Sequence, residues 1–514
     1  MPVACMGMLR AVAAVTIVLL LLPVSACLSG NACAATGLSL DKAQSIKDAV
    51  VKVYSTYNPA NFHEPWQMQG QQSMQGSGFI IEGNRILTNA HVVAWQTFVQ
   101  VRKSGQARKY TARVEHVAHE TDLALLRVED EDFFKGIVPL RIGSLPEIRD
   151  EVGVYGFPAG GDRLGITQGV VSRIEHIVYN HSGAYLLACQ IDASINIGNS
   201  GGPVLKGDEV VGVAFQGMLK RGFENVGYII PASIVKHFLQ DIEKDGVFHG
   251  TPELGLKMQK MENPALLQRF GLKPGETGAL VNKVFPDSPA EGLIFQDDVV
   301  VALDGYAVEE DGTVEFRRGE RTFLGYIWQQ KHIGDTVNVD IVRNGERKHF
   351  TILLTKAIGM ERLVPNMQYD HMPTYYIYGG LVFTPLVLNY LKEYGDEDNW
   401  RINSPVELLN YYENGEPSEK LKQVVILAKV LADDVNIGYH TYLDGVIVSV
   451  NGVNVGNLND VIAAIENNKG AFHVFEDSKG HRLILDREQA SRRGPDILRR
   501  YKILSDRSSD LSDK

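Results

Sequence analysis

The chain has 514 residues, 44% of them hydrophobic and 22% charged, which is globular in composition and long enough for about three domains at ~150 residues each. Its formal net charge of −11 argues against nucleic acid as the main partner, since that would call for a basic surface. Of four cysteines, Cys5, Cys27 and Cys33 crowd the N-terminus and only Cys189 lies further on, so there is no disulfide framework and Cys189 reads as a small core residue.

Residues 1–34 carry Arg10, an apolar run ending at Leu22, then Pro23 and small residues. One basic residue ahead of a short apolar run is an export-signal pattern and falls short of a membrane span. Cleavage after Ala34 would give a soluble periplasmic protein. The alternative is "VSAC", ending at Cys27, which resembles a bacterial lipobox and would make Cys27 a lipid anchor.

From Asp48 to Val247 short apolar strands are broken by Gly, Asn and Asp, a spacing that predicts a β-barrel or sandwich. The polar, Gln-rich stretch between Asn58 and Gly76 reads as a long mobile loop. Ile234, Val235, Phe238, Leu239 and Ile242 share one helical face, with Gly246 as the stop, placing a boundary near residue 248. Further on, "VVVALDGYAV" (Val299–Val308) is echoed by "VIVSVNGVNV" (Val446–Val455). Each is a strand, a tight turn and a second strand, so two related domains are expected, at 249–358 and 372–486. The charged tail, 487–514, reads as loose, although "PDILRRYKIL" within it could dock.

The chemistry concentrates in residues 35–248. "GNSGGP" places Ser200 among Gly198, Gly201 and Gly202. A serine nucleophile needs a base for its proton, a carboxylate to orient that base, and N–H groups for the oxyanion. His91 in "TNAHVV" and Asp122 in "TDLALL" each sit at a strand end. The order His, Asp, Ser is that of chymotrypsin-type barrels, whereas α/β-hydrolases run Ser, Asp, His. Glycine at 198 lets the N–H groups of Gly198 and Ser200 point into one hollow. His116 and His119 lack the small-residue strand-end setting and read as surface residues. No P-loop, His-Glu-x-x-His or Cys-x-x-Cys motif is present in the sequence, so neither ATP nor a metal is expected as cofactor.

"TNAHVV", "TDLALL" and "GNSGGPV", with "GSGFII" before the histidine and "GYIIPASIVKHFL" after the serine, resemble the Deg/HtrA family of trypsin-like serine proteases. "DDVVVALDG", "YYIYGGLVF" and "ILRRYKILS" resemble the subgroup known from plants. The resemblance implies a mainly β fold, a chymotrypsin-like double β-barrel (35–248) followed by two PDZ-like α+β domains. It also implies an ATP-independent endopeptidase for unfolded or damaged exported proteins, built as a trimer-based homo-oligomer. On that pattern His91 is the general base, Asp122 orients it and Ser200 attacks. Ser194, Ile195, Val213 and Phe215 would form a shallow apolar primary pocket, with Ile197 beside it and Asp192 structural. Leu254, Gly255 and Leu256 would be the first PDZ loop, receiving peptide C-termini; Gly379 to Phe383 is the weaker counterpart in the second. The competing class is a chaperone-like or scaffold peptide-binding protein whose triad is idle.

Overall fold

The computed structural model describes residues 40–217, 226–359, 362–395 and 399–512. The export signal, its cleavage at Ala34 and the anchor at Cys27 lie outside the described residues.

A short helix, α1 (Leu40–Ala49), leads into the first barrel. Its strands are β1 (Val50–Tyr57), β2 (Gln72–Ile81), β3 (Arg85–Thr88), β4 (Gln96–Lys103), β5 (Tyr110–Ala118) and β6 (Leu123–Val128), closed in the order β1-β2-β3-β6-β5-β4. Closure leaves no free sheet edge. Inside it pack Val51, Val53, Phe79, Leu87, Val99 and Leu125, all at most 1% exposed. A single turn, α2 (Ala90–Val93), follows β3.

The second barrel uses β7 (Arg141–Ile142), β8 (Glu151–Gly156), β9 (Gly165–Val178), β10 (Tyr185–Ile191), β11 (Pro203–Lys206), β12 (Glu209–Gly217) and β13 (Gly227–Pro231). Strands β11-β8-β9-β10-β13-β12 run in that order and the β11–β12 pairing closes them, while β7 adds to β12 in parallel. Cys189 is fully buried on β10, and burial pushes its thiol up to about 12. The amphipathic helix α3 (Ala232–Asp245) caps this barrel and ends at Gly246, whose φ of +83° suits glycine.

Two smaller units, the second and third of the chain after the double barrel, follow. The second unit is a sheet of five main strands whose edge is β14 (Leu256–Lys260). The third unit repeats the theme around strands at 376–378, 381–385, 425–430, 445–450, 472–477 and 482–486. The echo seen in the sequence is the same hairpin in both units: Leu303 pairs Tyr306 and Val450 pairs Val453. Asp304-Gly305 and Asn451-Gly452 turn them, all four with positive φ, as a type I′ turn demands.

Two expectations are corrected. The stretch after Asn58 is not a mobile loop. Asn61 Oδ1 accepts from the N–H groups of His63 and Glu64, and Ala60 bridges Met68. Ala60 and Phe62 are buried in a cluster with Leu386, Leu391 and Leu408 of the third unit, and Glu64 pairs with Lys429. A few apolar anchors outweigh the polar composition around them. The tail is not loose either. Arg487–Tyr501 is a helix that buries Ile497, and its Arg493 and Arg500 close on the carboxylate of Asp433.

Candidate active site

The sequence motifs converge between the two barrels. His91 is carried by α2 at the end of β3, and Asp122 immediately precedes β6. Asp122 has φ +56°, and Asn89 Nδ2 donates to its carbonyl at 2.8 Å. His91 Nδ1 lies 2.7 Å from Asp122 Oδ2, and the His91 backbone N–H donates to Asp122 Oδ1 at 2.8 Å. That double contact fixes the ring and leaves Nε2 facing the cleft. Burial disfavours the His91 imidazolium, but the charge and hydrogen bond of Asp122 outweigh it and hold the pKa above the ordinary histidine value. For Asp122, burial works upward and is overcome by His91 and His181, so its carboxyl stays below the usual range.

Ser200 enters the same cleft, about 750 Å³ in volume, with His91 and Asp122 on its lining. No hydrogen bond joins Ser200 Oγ to His91 Nε2 in this structure; such contacts commonly tighten only with substrate in place. The loop that carries Ser200 is pinned to β2. The Ser77 N–H donates to the Ser200 carbonyl at 2.8 Å, and Ser77 Oγ donates to the Gly198 carbonyl at 2.7 Å. The same hydroxyl accepts from Phe157 N–H at 2.8 Å. Glycine is required for that approach. A Cβ on Gly201 would lie 2.1 Å from the Ser77 carbonyl, and one on Gly198 2.4 Å from the Phe157 carbonyl, both at positive φ. The Ile197 carbonyl accepts from Ala159 N–H at 2.7 Å, so Gly198 N–H points to the opposite side of the same peptide plane. Among the described residues, no group takes up the N–H of Gly198 or of Ser200.

Ile195, Ile197 and Phe215 line the cleft. Ser194 and Val213 do not, which corrects the expected pocket. Val213 is fully buried in the barrel core and pairs with Pro203 and Ile230. The register of β12 against β13 shifts between Ala214 and Gln216, and that bulge frees Phe215 from strict alternation. The Ser194 carbonyl accepts from Thr167 Oγ1 at 3.2 Å. Asp192 Oδ1 accepts from Val170 N–H at 2.5 Å, facing β9 instead of the cleft.

Sequence reasoning missed four residues of this site. His119 is not a surface residue: its Nδ1 lies 3.0 Å from His181 Nε2 and its Nε2 2.8 Å from Asp370 Oδ2. His181 and Tyr369 line the cleft itself. His119 stands three residues before Asp122 at the mouth of the same strand, a signal the motif carried. His181, Tyr369 and Asp370 are far from every motif and carried none.

In the second unit, Leu254 is buried, Gly255 has φ +74° and Leu256 opens the edge strand β14. In the third, Gly379 and Gly380 are only a hairpin turn between Tyr378 and Leu381. The strand after it, Leu381–Pro385, is paired on both sides, and the outer strand is covered by Asp506 and Arg507 of the same chain. That edge has no room for an added peptide strand. Among the described residues, no group of three or more His, Cys, Asp or Glu side chains could hold a metal ion.

Residues 76–213 match the trypsin-like peptidase domain, and residues 252–354 and 364–510 each match the PDZ domain. Protease Do-like 2, chloroplastic, of Arabidopsis thaliana is 41% identical over 468 residues, covering 91% of this chain and 76% of that protein. The chain belongs to the Deg/HtrA family of serine proteases. Putative protease Do-like 3, mitochondrial, of the same plant is 38% identical over 91% of this chain and 80% of its own length. Among solved structures, an HtrA-type protease with a bound decapeptide aligns at 25% identity and TM-score 0.46, covering 61% of this chain and 98% of its own. This Deg/HtrA protease is mainly β, a double β-barrel with two PDZ domains behind it. The third-unit match begins at residue 364, ahead of Tyr369 and Asp370.

Proposed function

We propose that Ser200, His91 and Asp122 are the catalytic triad of an ATP-independent endopeptidase acting on unfolded or damaged proteins. His91 takes the proton from Ser200 Oγ through Nε2 as the oxygen attacks the peptide carbonyl. Asp122 holds the Nδ1–H tautomer and stabilises the imidazolium. The N–H groups of Gly198 and Ser200 receive the oxyanion, the amine leaves with the proton from His91, and water releases the acyl-enzyme. The observation that carries this is the 2.7 Å His91–Asp122 contact on a cleft that also receives Ser200. Digestion of unfolded casein by wild type and by Ser200→Ala tests it. Equal digestion by both overturns the assignment of Ser200, and digestion by neither favours a peptide-binding protein with an idle triad.

An apolar primary pocket of Ile195, Ile197 and Phe215 would accept Val, Ala, Ile or Leu before the scissile bond, with broad preference because one methylene is worth only ~1–3 kcal/mol. A majority of cuts after Lys or Arg would refute it. Peptide C-termini would add a strand at β14, which stands at the edge of its sheet. We further propose trimer-based assembly, to be tested by mass measurement in solution. Export to the periplasm, with or without a lipid on Cys27, rests on the N-terminal apolar run. Mass spectrometry of the mature N-terminus tests it, and retention of Met1 would sink it.

A further inference from the structure

The cleft wall beside His91 is assembled from distant parts of the chain. His181, on the turn between β9 and β10, has its ring centroid 6.1 Å from that of His91, with the planes 55° apart. Tyr369, from the segment that opens the third unit, stacks on His181 at 4.0 Å and 23°, and on His119 at 4.6 Å and 23°. The Tyr369 hydroxyl donates to the His181 carbonyl at 2.7 Å. Asp370 anchors the other end: Oδ2 takes His119 Nε2–H at 2.8 Å and Oδ1 takes the N–H of Trp95. His181 is therefore held by a stacked ring, a backbone contact and the imidazole of His119, and it cannot swing away from His91.

An extended substrate alternates its side chains. If the scissile residue's side chain enters between Ile195 and Phe215, the next one on the acyl side points the other way, toward His91, His181 and Tyr369. Carbon atoms pack at about 3.5–4.0 Å, so a side chain inserted between two ring faces needs about 7 Å or more between them. At 6.1 Å the two rings are in ordinary aromatic contact, short of that distance, so no side chain inserts between them and a branched or aromatic side chain at this position finds no slot in the wall. Burial lowers the His181 pKa to about 3, so the His181 ring is uncharged at neutral pH and itself offers no charge to an acidic side chain.

We propose that Tyr369 is a specificity-determining residue of the protease cleft, restricting the substrate position next to the scissile residue on its acyl side to small side chains. This rests on the reading of the cleft as the peptide-cleaving site. A domain counted with the peptide-binding half thus finishes the wall of the catalytic half.

The test uses the full-length protein and two peptides identical except for Ala or Leu at that position. Wild type should prefer Ala by roughly tenfold or more in kcat/KM. Tyr369→Ala should bring the ratio to about three or less by improving the Leu peptide, while Tyr369→Phe, which keeps the ring, should hold the wild-type ratio within about twofold. His181→Ala removes the wall directly and should open the same preference even if Tyr369→Ala fails to fold. A wild type that prefers Leu, or an unchanged ratio in Tyr369→Ala or His181→Ala, overturns the inference. Ser200→Ala separates the two levels: if it abolishes cleavage of both peptides while Tyr369→Ala and His181→Ala keep the wild-type ratio, the protease reading stands and only the role of Tyr369 falls.

Discussion

Ser77→Ala removes one oxygen and should disturb both halves of the catalytic machinery. Ser77 is fully buried on β2, and its hydroxyl donates to the Gly198 carbonyl at 2.7 Å and accepts from Phe157 N–H at 2.8 Å. The substitution leaves no large cavity, so nearly all of the cost comes from two orphaned backbone groups. Each buried unsatisfied group costs about 1–3 kcal/mol, together about 2–6 kcal/mol. For a domain of some two hundred residues that lowers Tm by roughly 4–24 °C. The Gly198 carbonyl belongs to the loop whose N–H groups would receive the oxyanion, a charge that exists only in the transition state. The loss should therefore fall on kcat, roughly ten- to a hundredfold, with KM little changed. A thermal scan and steady-state kinetics on a peptide substrate check both. A Tm within about 1 °C of wild type together with an unchanged kcat would refute the argument that this hydroxyl ties the barrels to the catalytic loop.

Gly201→Ala should give no soluble folded protein, since its Cβ would fall 2.1 Å from the Ser77 carbonyl and 2.3 Å from Thr88 Oγ1; soluble expression with a native melting transition would contradict this. Activity requires neutral His91, whose pKa is raised, so the rising limb of the pH–kcat/KM profile should lie above the ordinary histidine value of 6.5. Asp122→Asn should move that limb downward and cut kcat by about 10⁴, chiefly through the wrong tautomer. His176, between Thr322 Oγ1 and Gln329 Oε1, and His181 are both buried, and burial lowers their pKa values to about 4 and about 3. Their folded values are depressed, so their contribution is present above the unfolded value near 6.5 and is lost as pH falls below it. Denaturant unfolding at pH 5 should show roughly 3–4 kcal/mol less stability than at pH 7 from these two groups, and His176→Gln should remove about half of that difference.

What could be read from the sequence follows from how each feature is encoded. The catalytic residues sit in short motifs because the chemistry needs a strand end, a small neighbour or a run of glycines at each one. Ser200 is recognisable from Gly198 and Gly201, which the structure shows to be forced by contacts with Phe157, Ser77 and Thr88. The hairpins at Asp304-Gly305 and Asn451-Gly452 were legible for a similar reason: one turn type demands positive φ, and few residues supply it. Val213 failed because the resemblance placed it in the pocket together with Phe215, while composition does not mark the bulge between Ala214 and Gln216. The stretch after Asn58 failed because average polarity says nothing about where Phe62 will find a pocket, and that pocket belongs to the third unit, hundreds of positions away. The cleft wall failed for the same reason. His119, His181, Tyr369 and Asp370 become one cluster only once the protease barrels and the third unit pack together. Motifs encode what a residue must do locally. Which side chain finishes a subsite depends on the docking of whole units, and a single sequence carries that only as apolar anchors whose partners are not adjacent. The third unit is held to the barrels by Phe62 in its apolar cluster, by Glu64 with Lys429 and by Asp370 with His119, so the wall of the cleft is as firm as that docking.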